Sequence, residues 1–397
     1  MNTTTLPSWF NIPWDAIVVH VNEIALKGGN RRRFAEKLQY NLQHLLATYS
    51  PKITLYHDRL LIKACAADIP VILQKTAHVF GVAHVAPVRV LNEDFDELQK
   101  SALETYQAVA QPGDSYAVRV KRANKKFPMT STAVEREAGT FVKEATGAPV
   151  SLKQPDVLLK FSINAGSVYQ QGPPTKGPDG LPVGISGKLL TLFSGGIDSP
   201  VAAWMALKRG CFSDFIHYHP FPTAESVENS KIVRLIKQVM EPQGLRARLH
   251  LVPYHAFESG LFNSTVPREY ELVLFRRFMV RVACAVAAKN KCAALVTGDN
   301  LGQVASQTMG NLVAFDAVAN IPVFRPLVMM NKNEIIDIAK HIHTFDASVE
   351  PYKDCCSLVS TGPQTNPKQG TIRRIEASIP IDEMTQQAIE EITCMDV

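Results

Sequence analysis

Over the first 170 residues, hydrophobic and polar positions follow two different periods in turn. Apolar runs predict strands at about 15 to 22, 59 to 64, 82 to 90, 115 to 121 and 157 to 170. Between them, helical spacing predicts helices at about 31 to 48, where Phe34, Leu38, Leu42 and Leu46 share one face, at about 94 to 110 and at about 131 to 145. That mixture is α+β. After residue 185 the rhythm becomes regular. "KLLTLF", "DFIHYH", "ARLHLVPY" and "CAALVTG" are apolar strands separated by helical stretches, which predicts an α/β unit with a doubly wound parallel sheet. "GPPTKGPDGLPVG", residues 172 to 184, is too rich in Pro and Gly for a helix or a central strand and marks a linker between the halves.

Composition changes this picture only slightly. A chain of 397 residues, 46% hydrophobic, can bury ample core and divide into two or three domains. No apolar run approaches the roughly 18 residues of a membrane span, and "MNTTTLPSWFNIPWD" has no signal-peptide pattern, so a cytoplasmic chain without a membrane partner is expected. Seven cysteines without any C-x-x-C predict free thiols and argue against a zinc site or an iron–sulfur cluster. The net charge of +5 is modest, but basic residues cluster. "NRRRF" carries Arg31, Arg32 and Arg33, and "RVKRANKKF" carries Lys121, Arg122, Lys125 and Lys126, with Phe34 and Phe127 adjoining. Such clusters neutralise nucleic-acid phosphates, and an RNA backbone would suit them.

The chemistry centres on "TLFSGGIDSPVAAW", residues 191 to 204, which joins a strand to a helix. Ser199 is expected as the N-cap, Pro200 at the first helical position and Gly210 at the C-terminal stop. Gly195 and Gly196 allow close backbone approach, and free amides at a helix N-terminus favour an anion. The loop has neither the lysine of the Walker pattern nor a G-x-G-x-x-G. Asp198 beside a polyphosphate would repel it, so a shared Mg²⁺ is expected.

Ser194, Gly195, Gly196, Ile197, Asp198 and Ser199 match S-G-G-x-D-S, and so resemble the pyrophosphate loop of the ATP pyrophosphatase superfamily. "HYHPFPT", "VTGDNLGQVASQTMGNL", "EPYKDCCSLVSTGPQTNP" and "VNEIALKGGNRRRF" resemble segments of the ThiI family of tRNA 4-thiouridine synthetases, and residues 61 to 171 resemble a THUMP RNA-binding domain. The resemblance implies a ferredoxin-like domain over 1 to 60, THUMP over 61 to 171, the linker 172 to 184 and a PP-loop domain over 185 to 397. It implies that ATP is cleaved between its α- and β-phosphates, that AMP is placed on O4 of the uridine at tRNA position 8, and that persulfide sulfur then replaces that oxygen. The ATP site carried over comprises Leu192, Phe193, Ser194, Gly195, Gly196, Ser199, His217, Tyr218, Arg277, Gly298 and Gln307. Lys332 is paired with Asp198 in activation, and Cys356, beside Cys355, carries the persulfide.

What resolves that sulfur stays open among Cys355, Cys394 and an external thiol, because adjacent cysteines close a strained ring. Cys65, Cys211, Cys284 and Cys292 are expected to be structural. Residues Ser357 to Val397 are too few for the rhodanese domain of longer family members. A cysteine desulfurase is therefore expected to load Cys356 directly, and thiamin thiazole synthesis is in doubt. The resemblance also implies a homodimer. Two rival functions are another adenylating synthetase, which would need an ammonia source, and a non-catalytic tRNA-binding protein, against which the intact loop and cysteine pair weigh.

Overall fold

The computed structural model describes residues 8–56, 59–262, 264–359 and 362–397, so the first seven residues of "MNTTTLPSWFNIPWD" lie outside the described part. Two units, Met1–Gly180 and Leu181–Val397, make up the chain. In the first, the expected alternation yields β1 (Ala16–His20), α1 (Arg31–Leu45), β2 (Lys52–Leu55), β3 (Arg59–Lys63) and α2 (Ile69–Thr76). There follow β4 (His84–Leu91), α3 (Phe95–Val109), β5 (Tyr116–Arg122), α4 (Ser131–Thr146), β6 (Val157–Asn164), β7 (Ser167–Gln171) and β8 (Thr175–Lys176). The strands form one sheet in the order β2-β3-β1-β4-β7-β6-β5, with β8 added beside β4. Among the described residues of this sheet, only strands β5 and β6 pair in parallel.

Leu38, Leu42 and Leu46 are fully buried along α1, and Phe34 packs on the same core from its rim. β2 and α2 had no sequence forecast. β2 is only four residues long, and α2 begins Ile-Pro and makes about two turns, both shorter than a periodicity window can read. A division drawn between residues 60 and 61 falls inside β3, which is hydrogen-bonded to β1 on one side and β2 on the other.

The second unit contains β9 (Lys188–Leu192), α5 (Asp198–Lys208), β10 (Phe212–His219), α6 (Glu225–Glu228), α7 (Lys231–Met240) and β11 (Arg248–Pro253). It continues with α8 (His255–Leu261), α9 (Arg268–Lys289), β12 (Ala294–Val296), α10 (Met309–Asp316), β13 (Val323–Phe324), α11 (Lys332–His341) and α12 (Phe345–Ser348). The chain ends through α13 (Cys355–Leu358), α14 (Gln369–Glu376), α15 (Ile381–Glu390) and β14 (Thr393–Asp396). Strand order is β13-β12-β9-β10-β11-β14, parallel throughout except for β14, which lies antiparallel on β11. β9 pairs with the next strand, β10, on one side and with the distant β12 on the other, so the strand order reverses at β9, and ligands gather at the carboxyl edge of such a point.

The near-continuous burial of β9 and β10 follows from helices covering both faces. One of them, α9, buries Leu272, Phe275, Phe278 and Val282 against Leu190, Leu192 and Ile216. On the other side, Val201, Ala202 and Ala206 of α5 pack with Leu189, Val296 and Ile335. Among the described residues, no helix is long and apolar enough to cross a membrane.

Candidate active site

Parallel register sets the site. Leu192 stands opposite Ile216 and Thr191 opposite Val296, so the segments leaving β9, β10 and β12 emerge side by side. The first is the Ser-Gly-Gly loop. Gly195 takes φ +79, a conformation open mainly to glycine, and a Cβ there would come within 2.3 Å of Ile232 Cδ1. Ser199 does not cap the helix as expected. The helix already begins at Asp198, and the Ser199 hydroxyl turns back to accept from the amides of Ser194 at 3.2 Å and Gly195 at 3.3 Å. Ser194 Oγ accepts in turn from Gly196 N at 3.4 Å. The loop amides thus converge on oxygen acceptors, the arrangement a phosphate would exploit. Gly298, after β12, passes so close that a Cβ would lie 3.0 Å from Ser199 N.

Asp198 is held from two sides. Lys332 Nζ, at the first residue of α11, donates to Oδ1 at 2.7 Å, and Gln303 Nε2 donates to Oδ2 at 2.9 Å. Asn331 and Glu334 form a reciprocal capping box that fixes the start of α11 and so the point from which Lys332 reaches out. After β10, His217 is buried. Its Nδ1–H donates to the Phe193 carbonyl at 2.7 Å, while Tyr352 Oη donates to its Nε2 at 2.9 Å. Burial pushes the His217 imidazole down to about 4, so it is neutral near pH 7. Tyr218 lines the same crevice with its hydroxyl donated to the Met279 carbonyl at 2.7 Å. Phe193 sends its ring into the core against Phe215, centroids 5.4 Å apart.

One residue carried into the ATP site is not brought there. Arg277 is buried against Glu376, with Nε donating to Oε1 at 3.0 Å, Nη2 to Oε2 at 2.6 Å and Nη1 to the Ala314 carbonyl at 2.6 Å. Its neighbour Arg276 faces the crevice. A helix turns each successive residue by about 100°, so adjacent arginines must point apart, and sequence alone could not choose between them. Arg276 Nη2 donates to Asp299 Oδ1 at 2.6 Å, its guanidinium lies 5.0 Å over the Phe315 ring, and its charge acts on the Cys356 thiol. Asp299 also accepts from Thr297 Oγ1 at 2.8 Å and Arg325 Nε at 3.3 Å. Burial would raise the Asp299 carboxyl, but Arg276 and the other donors outweigh it and hold it below the usual range.

The crevice is lined by Leu192, Phe193, Ser194, Asp198, Ser199, His217, Tyr218, Arg276, Gly298, Gln307 and both cysteines. Arg276, Gln303, Asp299, Tyr352 and Asp354 were not foreseen. The signal was present only for Asp299, as a carboxylate in "VTGDN" directly after a strand end.

Cys355 and Cys356 open α13. Cys355 is 1% exposed, whereas Cys356 is partly exposed and borders the crevice. Asp354 caps the turn by accepting from Cys356 N at 3.4 Å. Burial and Asp354 push the Cys356 thiol up to about 12, against the pull of Arg276. Its alkylation by iodoacetamide, read on the Cys356 peptide by mass spectrometry, should therefore climb about tenfold per pH unit through the neutral and mildly alkaline range. A plateau near pH 8 would contradict the environment described. Cys394 sits on β14 with Sγ 3.2 Å from His250 Nδ1, on the strand beyond β11. Cys284 and Cys292 are buried and Cys211 half-buried, but Cys65 is exposed and so not the core thiol expected.

In the first unit, Lys121, Lys125 and Lys126 are exposed, while Arg122 spends Nη1 on the carbonyls of Phe127 at 3.3 Å and Met129 at 2.8 Å. Arg32 and Arg33 are exposed, with Arg32 paired to Glu36 at 2.8 Å, and Arg31 is half-buried. Phe127 is 6% exposed and belongs to the core, so it cannot stack on a base.

A parallel sheet whose central strand turns through an S-G-G-x-D-S loop into a helix defines an α/β unit of the ATP pyrophosphatase type. Comparison with known proteins narrows the class. The sequence models described as "Thiamine biosynthesis protein (ThiI)", "ThiI ferredoxin-like domain" and "THUMP domain" match residues 184–381, 16–86 and 92–169. A probable tRNA sulfurtransferase of Macrococcus caseolyticus is 35% identical over 388 residues, covering 97% of this chain and 96% of that protein. One of Thermoanaerobacter pseudethanolicus is 36% identical over 383 residues, covering 95% and 99%. The crystal structure of a 4-thiouridine synthetase–RNA complex with bound ATP matches with a TM-score of 0.87 at 29% identity, covering 97% of this chain and 100% of that one. The chain belongs to the ThiI family.

Proposed function

We propose that this protein is an ATP-dependent tRNA sulfurtransferase that converts uridine at tRNA position 8 to 4-thiouridine. The observation that carries the reading is that the Ser-Gly-Gly loop and Cys356 line one crevice. ATP binds with its outer phosphates on the amides of Gly195 and Gly196 and the hydroxyls of Ser194 and Ser199, against Leu192, Phe193, His217, Tyr218, Gly298 and Gln307. Uridine O4 attacks the α-phosphorus, the bond to the β-phosphate breaks, pyrophosphate leaves and the N3 proton is released. Lys332, paired with Asp198, offsets the charge that gathers on the departing pyrophosphate. The Cys356 persulfide then attacks C4, the C4–O bond breaks and AMP leaves. An external thiol attacks Cys356 Sγ, forming a disulfide and leaving the outer sulfur on C4.

Asp198 fits a Mg²⁺ site shared with phosphates. The adjacent Gln303 Oε1 is a buried oxygen without a hydrogen-bond partner, and oxygen donors suit this hard cation. The ion would neutralise phosphate charge. Among the described residues no group of three acidic, His or Cys side chains could hold a metal unaided, in keeping with one completed by ATP. A cysteine desulfurase is the sulfur source we propose, the cytoplasm the location and a homodimer the assembly, which sedimentation of the full chain would test. The matched segments support a ferredoxin-like and THUMP first unit as the tRNA-binding part.

Incubation with unmodified tRNA, Mg-ATP, a cysteine desulfurase and cysteine should yield 4-thiouridine in digested nucleosides. Pyrophosphate without thiolated RNA would favour another adenylating synthetase, and neither product a tRNA-binding protein. Replacing Lys121, Lys125 and Lys126 together by Gln should weaken tRNA binding and lower the slope of log affinity against log salt by about 0.7 to 0.9 for each phosphate no longer neutralised. An unchanged slope removes this face from the RNA site.

A further inference from the structure

Lys231 is the first residue of α7 and is only 9% exposed. An ammonium there faces two penalties, loss of water and the positive end of the helix dipole, and burial depresses its basicity accordingly. What holds it is a pair of carbonyls: Nζ donates to Ser348 O at 2.7 Å and Glu350 O at 2.6 Å, and it stands 5.9 Å from the Tyr352 ring. Arg234, one turn along α7, pairs with the Glu350 carboxylate. The segment so gripped leads directly to Asp354 and the two cysteines.

The same side chain also runs beside the phosphate loop. Lys231 Cε lies 3.6 Å, and Ile232 Cδ1 2.3 Å, from the position a Cβ on Gly195 would take. A second connection closes the circuit, from Tyr352 Oη through His217 to the carbonyl of Phe193, where the loop begins. Lys231 therefore runs beside the loop on one side and holds the cysteine segment on the other.

We infer that Lys231 is a positioning residue that sets the Cys355–Cys356 segment against the adenylation site, so that its loss separates sulfur transfer from ATP cleavage. The inference rests on the roles proposed above for the loop and for Cys356. Displacing a reacting group by about 1 Å can cost roughly a hundredfold in rate. Lys231→Met should lower 4-thiouridine formation by about that factor. Release of pyrophosphate in the first turnover and the KM for ATP should stay at wild-type values. Lys231→Arg should recover most of the loss, because a guanidinium still donates to two carbonyls.

Lys231→Gln, whose shorter amide cannot hold both the Ser348 and Glu350 carbonyls as the ammonium does, should split the two activities in the same direction, and it carries the test if Lys231→Met fails to fold. A raised KM for ATP with parallel loss of pyrophosphate would make Lys231 a phosphate ligand and overturn the inference. Unaltered thiolation in either variant would overturn it too. Cys356→Ser run alongside separates the premises: if it still forms 4-thiouridine, the thiol assignment has failed rather than the positioning role.

Discussion

Cys356→Ser should stop 4-thiouridine formation while the enzyme still releases pyrophosphate once per bound tRNA, and Asp198→Ala should stop both. The two residues line one crevice and serve different steps of the proposed reaction. A serine hydroxyl cannot carry a transferable sulfur, so thiolation should fall below roughly 10⁻⁴ of wild type. Adenylation needs only the loop and its cations, which the substitution does not touch. Asp198 is another matter, since its carboxylate receives Lys332 at 2.7 Å and Gln303 at 2.9 Å. Without it Lys332 loses its anchor and the carboxylate that would help hold a phosphate-bound Mg²⁺ is gone, a loss of charge stabilisation on the order of 10²- to 10³-fold. Quantifying pyrophosphate and 4-thiouridine in the same reaction distinguishes the cases. Thiolation by Cys356→Ser at a wild-type rate would move the persulfide to Cys355.

Much of this was legible along the chain because it depends on local rules. Alternation and helical spacing located β1, α1, β4, α3, β5, α4, β6 and β7 to within a few residues, since each is long enough to show its period. The loop announced itself through Gly195 and Gly196 next to an apolar strand. What stayed hidden required tertiary knowledge. Nothing in "RRF" reveals which arginine faces the crevice, because that depends on how α9 rotates against β9 and β10. Ser199 has the right identity for a cap, yet the helix starts one residue earlier and its hydroxyl serves the loop. Tyr352 and Lys231 join the site through contacts 117 to 135 residues apart in sequence, which no local pattern encodes. β14 is four residues long and pairs antiparallel with β11, and its Cys394 thereby becomes a neighbour of His250.

Arg277→Met should destabilise the second unit far more than Arg276→Met, while Arg276→Met should damage catalysis far more. Arg277 makes a bidentate pair with Glu376 and also satisfies the Ala314 carbonyl, all out of water. Removing one partner of a buried pair costs about 3 to 5 kcal/mol, and Glu376 would keep only Arg281, at 3.1 Å. For a unit of this size that is roughly 10 °C in Tm. Replacing both partners, as Arg277→Met with Glu376→Leu, should recover part of the loss, since the charge then left without its partner is that of Arg281, which is part-exposed rather than buried.

The effect has a defined pH dependence. Burial would raise the Glu376 carboxyl, but hydrogen bonds and charge from Arg277 and Arg281 hold it below its ordinary 4.5. A depressed folded value stabilises above the unfolded one and loses that contribution as pH falls through the folded one. The gap in Tm between wild type and Arg277→Met should accordingly be full near neutral pH and shrink below about 4.5. Arg276→Met leaves Asp299 with Arg325 and Thr297, so less stability is lost. It takes the guanidinium away from Cys356, and thiolation should drop by roughly 10²-fold. Calorimetry and the nucleoside assay on both variants decide the matter. Wild-type Tm with lost activity in Arg277→Met would return that residue to the nucleotide site.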